Sequence, residues 1–153
     1  MIVYCDTSAL MKLFVTELHS DALRDLATES TRLVVSQLTW AEMCAGLALK
    51  QRTNQVDAQI AATALEQLHT QWPRYSRLAV DEDLMIDAGK LALRFGLRAY
   101  DSVQLASAQR VHKQLGSNLT FCCFDKQVIA AAVTLKITVM SPKLIQNQEF
   151  LVA

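Results

Sequence analysis

Short, mostly apolar runs alternate along the chain with longer amphipathic segments. The short runs have the length of buried strands and lie at residues 2–5, 33–36, 77–80, 119–124 and 137–140. The run at 119–124 is apolar on both faces, as a central parallel strand covered by helices requires. This alternation predicts an α/β fold in which helices connect parallel strands.

The amphipathic segments predict about seven helices, at residues 8–14, from 20 onward, and at 39–50, 54–72, 84–95, 101–116 and 126–134. Asn54 is the candidate N-cap of the fourth helix, and Pro73 prevents that helix from continuing. Gly96 is expected to end the fifth helix, because glycine readily adopts the left-handed conformation of a helix C-terminus.

The length and composition of the chain predict one domain. The chain has 153 residues, 52% of them hydrophobic, which suffices for one core and is too short for two ordinary domains. We expect the domain at residues 1–145 and a tail at 146–153. Neither a basic leader nor an apolar run of membrane-spanning length is present, so a cytoplasmic protein without a membrane partner is expected.

Charge and cysteine content narrow the classes of function. Lysine plus arginine and aspartate plus glutamate number 15 each, so any nucleic acid must be held by a local patch rather than by a global basic field. Cys5, Cys44, Cys122 and Cys123 show no C-x-x-C spacing. We expect buried free thiols, with the adjacent pair pointing to opposite faces of a strand.

Four acidic residues stand at the ends of predicted elements. Asp6 and Asp125 directly follow the first and fourth predicted strands, so both are expected at the carboxyl edge of the sheet, where open α/β sheets bind ligands. Asp101 leads a helix that is poor in charge, and Glu42 is the only charged residue between positions 33 and 49. These positions make the four acids candidates for one shared site.

Each acid also has a purely structural explanation. Aspartate is favoured near helix N-termini, and Thr39 with Glu42 fits a capping box. Four acids at one edge, however, would raise one another's pKa unless a cation compensated them. Magnesium takes oxygen ligands, often through one or two direct carboxylates, and promotes reactions at phosphate. The combined pattern therefore favours phosphodiester hydrolysis.

Four motifs add a resemblance to a known family. In chain order they are Asp6-Thr7-Ser8-Ala9-Leu10 after a strand, the isolated Glu42, Asp101-Ser102-Val103-Gln104-Leu105-Ala106 opening a buried helix, and Phe124-Asp125 closing a strand. Together they resemble the PIN-domain family, and within it the VapC-like toxins of type II toxin–antitoxin systems. The resemblance implies a three-layer α/β/α sandwich with a mostly parallel, twisted sheet of four or five strands.

The resemblance also implies roles for particular residues. Asp6, Glu42 and Asp101 would be the core catalytic and metal-holding acids, with Asp125 as the fourth, and Mg²⁺, or alternatively Mn²⁺, as the ion. Thr7 or Ser8 would hydrogen-bond a carboxylate or a metal-bound water. The implied protein is a homodimeric endoribonuclease toxin that cleaves single-stranded or structured RNA with a metal-activated water and is neutralised by a cognate antitoxin.

One departure and several alternatives accompany this prediction. Many relatives carry threonine or serine two residues before the fourth acid, where this chain has Cys123. Arg98 and Lys126 are candidate contacts to the RNA backbone and Tyr100 a candidate stacking partner for a base, although ordinary solvated loop residues are the alternative. A DNA- or structure-specific nuclease would use the same acids, and a non-catalytic binding module would share the fold.

Overall fold

The computed structural model describes residues 1–140, so the predicted tail and the last few residues of the predicted domain lie outside the described part. Its strands are β1 Ile2–Cys5, β2 Arg32–Ser36, β3 Ser76–Leu78, β4 Leu119–Cys122 and β5 Val139–Met140. Its helices are α1 Thr7–Phe14, α2 Ser20–Glu29, α3 Leu38–Arg52, α4 Ala58–Gln71, α5 Glu82–Phe95, α6 Ala99–Leu115 and α7 Lys126–Thr134. Short 3-10 turns occupy Trp72–Arg74 and Gly116–Asn118.

The five strands form one all-parallel sheet in the order β3-β2-β1-β4-β5. β1 is central, with Tyr4 opposite Val34 of β2 and Phe121 of β4. The chain moves outward from β1 through β2 and β3, and returns to the other side of β1 as β4. The sheet order therefore switches direction between β1 and β4, which is where doubly wound sheets bind ligands beyond the strand ends.

Helices cover both faces of the sheet and give the predicted three-layer fold. One core cluster joins Tyr4 and Phe121 to α5, α6 and α7, and the other joins Val3 and Val35 to α1, α2, α3 and α4. Cys122 belongs to one cluster and Cys123 to the other, as the strand alternation predicts. All four cysteines are free, although Cys44 is only half-buried.

Several element ends differ from the sequence-based expectation. Asp57, rather than Asn54, caps α4 by accepting a hydrogen bond from the backbone N–H of Ile60 at 2.7 Å. Asn54 instead has φ +56° in the turn before that helix, a left-handed conformation that asparagine tolerates. β4 ends at Cys122, so Asp125 lies three positions beyond the strand rather than directly after it.

Other expected element ends agree with the structure. Gly96 ends α5 with φ +65°, and its backbone N–H donates to the carbonyl of Ala92, as a glycine at a helix C-terminus should. α7 occupies the predicted range 126–134. Among the described residues, no helix is both long and apolar enough to cross a membrane.

Candidate active site

The four predicted acids are placed by four different elements around the carboxyl edge of the sheet. Asp6 follows β1 and is the N-cap of α1, and Asp125 is the N-cap of α7 after β4. Asp101 lies in the first turn of α6, and Glu42 in the early part of α3. β1 and β4 pair in register up to Cys5 and Cys122, so the chain segments that carry Asp6 and Asp125 leave the sheet side by side.

Asp6 is the most buried of these acids, with 6% of its surface exposed. Its Oδ1 accepts hydrogen bonds from Ser8 Oγ at 2.6 Å and from the backbone N–H of Ala9 at 2.9 Å. Burial, with a smaller contribution from the charge of Glu42, raises the pKa of Asp6 to about 6 against the opposing effect of the bonds from Cys123, Ser8 and Ala9. The carboxylate is thus held in place although its charge is poorly solvated.

Glu42 faces the same region from α3. Its Oε1 accepts hydrogen bonds from Thr7 Oγ1 at 2.9 Å and from Gln104 Nε2 at 2.7 Å. The expected capping box with Thr39 is wrong: α3 begins at Leu38, and the Glu42 side chain bonds α1 and α6 instead of its own helix start. Glu42 is therefore positioned by tertiary contacts rather than by local helix capping.

Gln104 connects Glu42 to the core of the protein. Its Oε1 accepts from the buried Tyr4 hydroxyl at 2.7 Å, and its Nε2 also donates to Thr39 Oγ1 at 2.9 Å. Burial raises the pKa of Tyr4, so the tyrosine remains a neutral donor. Gln104 had no predicted role, although it is the lone amide among the small and apolar residues that open a buried helix.

Arg98 joins the other two acids. Its Nε donates to Asp101 Oδ2 at 2.9 Å, and one terminal nitrogen lies 3.9 Å from Asp125 Oδ2. The bond and charge of Asp101 raise the pKa of Arg98, although its side chain is 78% exposed. The structure thus brings Asp101 and Asp125 together through a cation that the chain itself supplies.

Ser8 and Cys123 link the acids at the edge between β1 and β4. Ser8 Oγ donates to Asp6 and accepts from the backbone N–H of Phe124 at 3.0 Å. Cys123 Sγ accepts from the backbone N–H of Asp125 at 3.4 Å. Burial, together with the nearby charge of Asp6, raises the pKa of the Cys123 thiol, which therefore stays neutral beside the acids.

The donor set is suited to a hard divalent ion. Asp6, Glu42, Asp101 and Asp125 offer only carboxylate oxygens, the ligands that Mg²⁺ and Mn²⁺ prefer. In Glu42 and Asp101, every hydrogen-bond donor within residues 1–140 reaches a single carboxylate oxygen, which leaves the second oxygen for a ligand. The four acids form two pairs, Asp6 with Glu42 and Asp101 with Asp125. Among residues 1–140, no three His, Cys, Asp or Glu side chains come close enough together to form a complete metal site.

The predicted nucleic-acid contacts surround these acids. Tyr100 directly precedes Asp101 and is exposed, and Lys126 directly follows Asp125 and is also exposed. Arg98 is exposed too, but its side chain is paired with the acids as described above. The edge therefore combines an acidic centre, in which Asp6 is buried and the other three acids are half-buried, with exposed cationic and aromatic side chains.

Comparison with known proteins identifies the family. A family model described as the PIN domain matches residues 3–137, nearly all of the described chain. The chain belongs to the PIN-domain family. A relative of this PIN domain, ribonuclease VapC46 of Mycobacterium tuberculosis, is 34% identical over 140 residues, which are 92% of this chain and 97% of the relative.

Solved structures show the same fold. One is a toxin–antitoxin complex from Klebsiella pneumoniae, with TM-score 0.59 and 17% identity over 84% of this chain and 90% of that one. Another is VapC20 of Mycobacterium tuberculosis, described as a Sarcin-Ricin loop cleaving toxin, with TM-score 0.61 and 18% identity over 84% of this chain and 94% of that one. At these identities the likeness shows the fold alone.

Proposed function

We propose that this PIN domain is a magnesium-dependent endoribonuclease toxin that cleaves single-stranded or structured RNA and is neutralised by a cognate antitoxin. The observation that carries the proposal is the buried carboxylate of Asp6, held by Ser8 and Ala9 next to the negative charge of Glu42. Helix capping by Asp6 does not require a buried charge beside Glu42, so a positively charged ligand is the simplest explanation of the arrangement. The name of the 34% identical relative, a ribonuclease, supports the choice of substrate.

Asp6, Glu42, Asp101 and Asp125 would hold the ion, with Mn²⁺ as a possible substitute for Mg²⁺. A bound divalent ion lowers the pKa of a coordinated water and compensates negative charge on a phosphate. Ser8 and the N-terminus of α1 orient Asp6, while Thr7 and Gln104 orient Glu42. These bonds hold the carboxylates in place before substrate arrives, which reduces the cost of assembling the site.

The exposed side chains around the acids would bind the RNA. Exposed Lys126 and Arg98 would contact phosphates, and the exposed ring of Tyr100 would stack on a base. Arg98 would then exchange its acidic partners for a phosphate when an ion binds. The chain has no net charge, so substrate affinity would depend on these local contacts.

Two protein partners complete the proposal. The likeness to a toxin–antitoxin complex supports an antitoxin that binds this domain. A second copy of the chain would bind along α5, where Met85, Ile86 and the 90% exposed Leu93 form an apolar stripe centred on Gly89. The N-terminal half of α5 is acidic and the C-terminal half is basic, so two copies lying antiparallel would oppose unlike charges.

A cleavage assay tests the enzymatic proposal. Purified protein would be incubated with a labelled single-stranded RNA pool and, in parallel, with the matching DNA, with Mg²⁺ or with chelator. Asp6→Asn and Asp101→Asn are expected to abolish metal-dependent RNA cleavage, whereas Asp83→Asn, at an exposed position of α5, should retain it. Preferential DNA cleavage would favour the DNA nuclease. Equal activity in all variants would indicate a contaminant and leave only a binding module.

A further inference from the structure

The side chains of His19 and Phe124 form an aromatic pair next to the segment that carries Asp125. The imidazole of His19 stacks on the ring of Phe124, with centroids 5.7 Å apart and planes inclined by 21°. Lys12 Nζ lies 4.6 Å from the centroid of the same phenyl ring. We call His19 and Phe124 the aromatic shelf. Both residues are half-buried.

The backbone of His19 has an unfavourable conformation. Its φ is +70°, in the left-handed region that strains a residue with a Cβ. His19 is the N-cap of α2, yet its side chain makes no capping hydrogen bond. Glycine would adopt this backbone conformation without strain, and helix capping does not explain a histidine at this position. Such outliers are frequent at ligand-binding positions.

An ion-pair cluster holds the loop that presents His19. Glu17 Oε1 accepts from Lys12 Nζ, and its Oε2 accepts from Lys50 Nζ, both at 2.9 Å. The backbone N–H of Glu17 donates to Ser20 Oγ at 3.0 Å. Lys12 thus links the loop to α1, and only 12% of its side chain is exposed. Its ammonium group also lies over the Phe124 ring of the shelf. The shelf is therefore ordered before any ligand binds.

The shelf is joined to the acids by a short chain of hydrogen bonds. The backbone N–H of Phe124 donates to Ser8 Oγ, and Ser8 Oγ donates to Asp6 Oδ1. Phe124 also directly precedes Asp125. A ligand on the shelf would consequently lie next to the acidic centre. Leu18, adjacent to His19 and 76% exposed, extends the apolar surface.

We infer that the aromatic shelf binds an unpaired nucleobase of the RNA next to the phosphate that is cleaved, an inference that rests on the proposed nuclease function. Single-strand binders stack bases on aromatic rings that are held rigidly beside positive charge, and this stacking tolerates different bases. The strained backbone conformation of His19 is then explained by function, because it places the imidazole ring on Phe124. His19 acts as a substrate-positioning residue.

Steady-state cleavage kinetics on a short single-stranded RNA test the inference. His19→Gly and His19→Asn remove the ring while suiting the backbone, so both should fold at least as stably as wild type, as thermal unfolding will show. Loss of stacking should raise KM about tenfold with little change in kcat. His19→Tyr keeps a ring and should restore KM to within about threefold of wild type. His112→Asn, near the C-terminal end of α6 at the opposite edge of the sheet, is the control and should leave KM unchanged.

The outcomes distinguish a failure of the proposed base binding from a failure of the proposed nuclease function. If wild type cleaves RNA and His19→Gly retains its KM, or if His19→Tyr fails to rescue, the shelf does not bind a base although the nuclease proposal stands. If wild type cleaves no RNA, the nuclease proposal fails, and fluorescence anisotropy with a labelled single-stranded oligonucleotide then decides the shelf. Equal affinity of wild type and His19→Gly, or no binding by either, would overturn it.

Discussion

Replacing Asp6 with asparagine is expected to destroy activity and to stabilise the metal-free protein at neutral pH. Burial raises the pKa of Asp6 from 3.8 to about 6 in the folded chain. The folded state therefore binds this proton more tightly than the unfolded state, and ionising the carboxyl destabilises the fold. This difference in pKa corresponds to a loss of about 3 kcal/mol in the free energy of unfolding. It is an upper value, because a buried site relaxes around its charge.

The pH dependence follows from the direction of this displacement. Below about pH 3 the carboxyl is protonated in both states and contributes no penalty. As the pH rises through about 6, the unfolded chain ionises first, so the free energy of unfolding falls, and the penalty is complete above that range. Asp6→Asn keeps an oxygen that can accept from Ala9 and carries no charge. It should exceed wild type in free energy of unfolding by about 1–3 kcal/mol at pH 8 and differ little at about pH 3.

Urea denaturation in chelator at both pH values measures this difference, and Mg²⁺ provides a second readout. The ion should raise the unfolding midpoint of wild type at pH 8 and leave Asp6→Asn nearly unchanged, because binding to the folded state alone stabilises it. Asp83→Asn, an exposed control on α5, should change stability by less than about 0.5 kcal/mol at either pH. The reasoning would be refuted if Asp6→Asn were less stable than wild type at pH 8, or if its free energy of unfolding differed from that of wild type by the same amount at both pH values.

Three further substitutions test other contacts. Gln104→Leu removes a partner of Tyr4 and Glu42 and should lower the free energy of unfolding by about 1–3 kcal/mol in urea, so wild-type stability would contradict the network. Arg98→Gln removes a competing cation and should tighten Mg²⁺ binding by about two- to fivefold in calorimetry, whereas weaker binding would show that Arg98 aids the ion. Leu93→Glu should convert a dimer to monomer in sedimentation analysis, and Ile60→Glu on α4 should not; a dimer that survives Leu93→Glu would exclude the α5 interface.

The sequence alone determined most of the secondary structure, because its signals are local. Alternating apolar runs marked all five strands, and helical spacing with Gly96 marked α5 and its end. Local sequence did not determine which of two neighbouring residues caps α4. Asn54 and Asp57 are both suitable N-cap residues, and only the path of the chain after α3 makes Asp57 the cap. The four acids also stood out, because each is a charge in a locally apolar setting.

The geometry of the site was decided by the tertiary structure. Gln104 and Glu42 are 62 positions apart, and they meet only because α6 and α3 lie on opposite faces of the sheet and converge at its carboxyl edge. The pKa of Asp6, the Arg98 link between Asp101 and Asp125, and the stacking of His19 on Phe124 also depend on strand order and packing. Local sequence encodes which residues form helices and strands, whereas burial and long-range contacts arise only when those elements assemble.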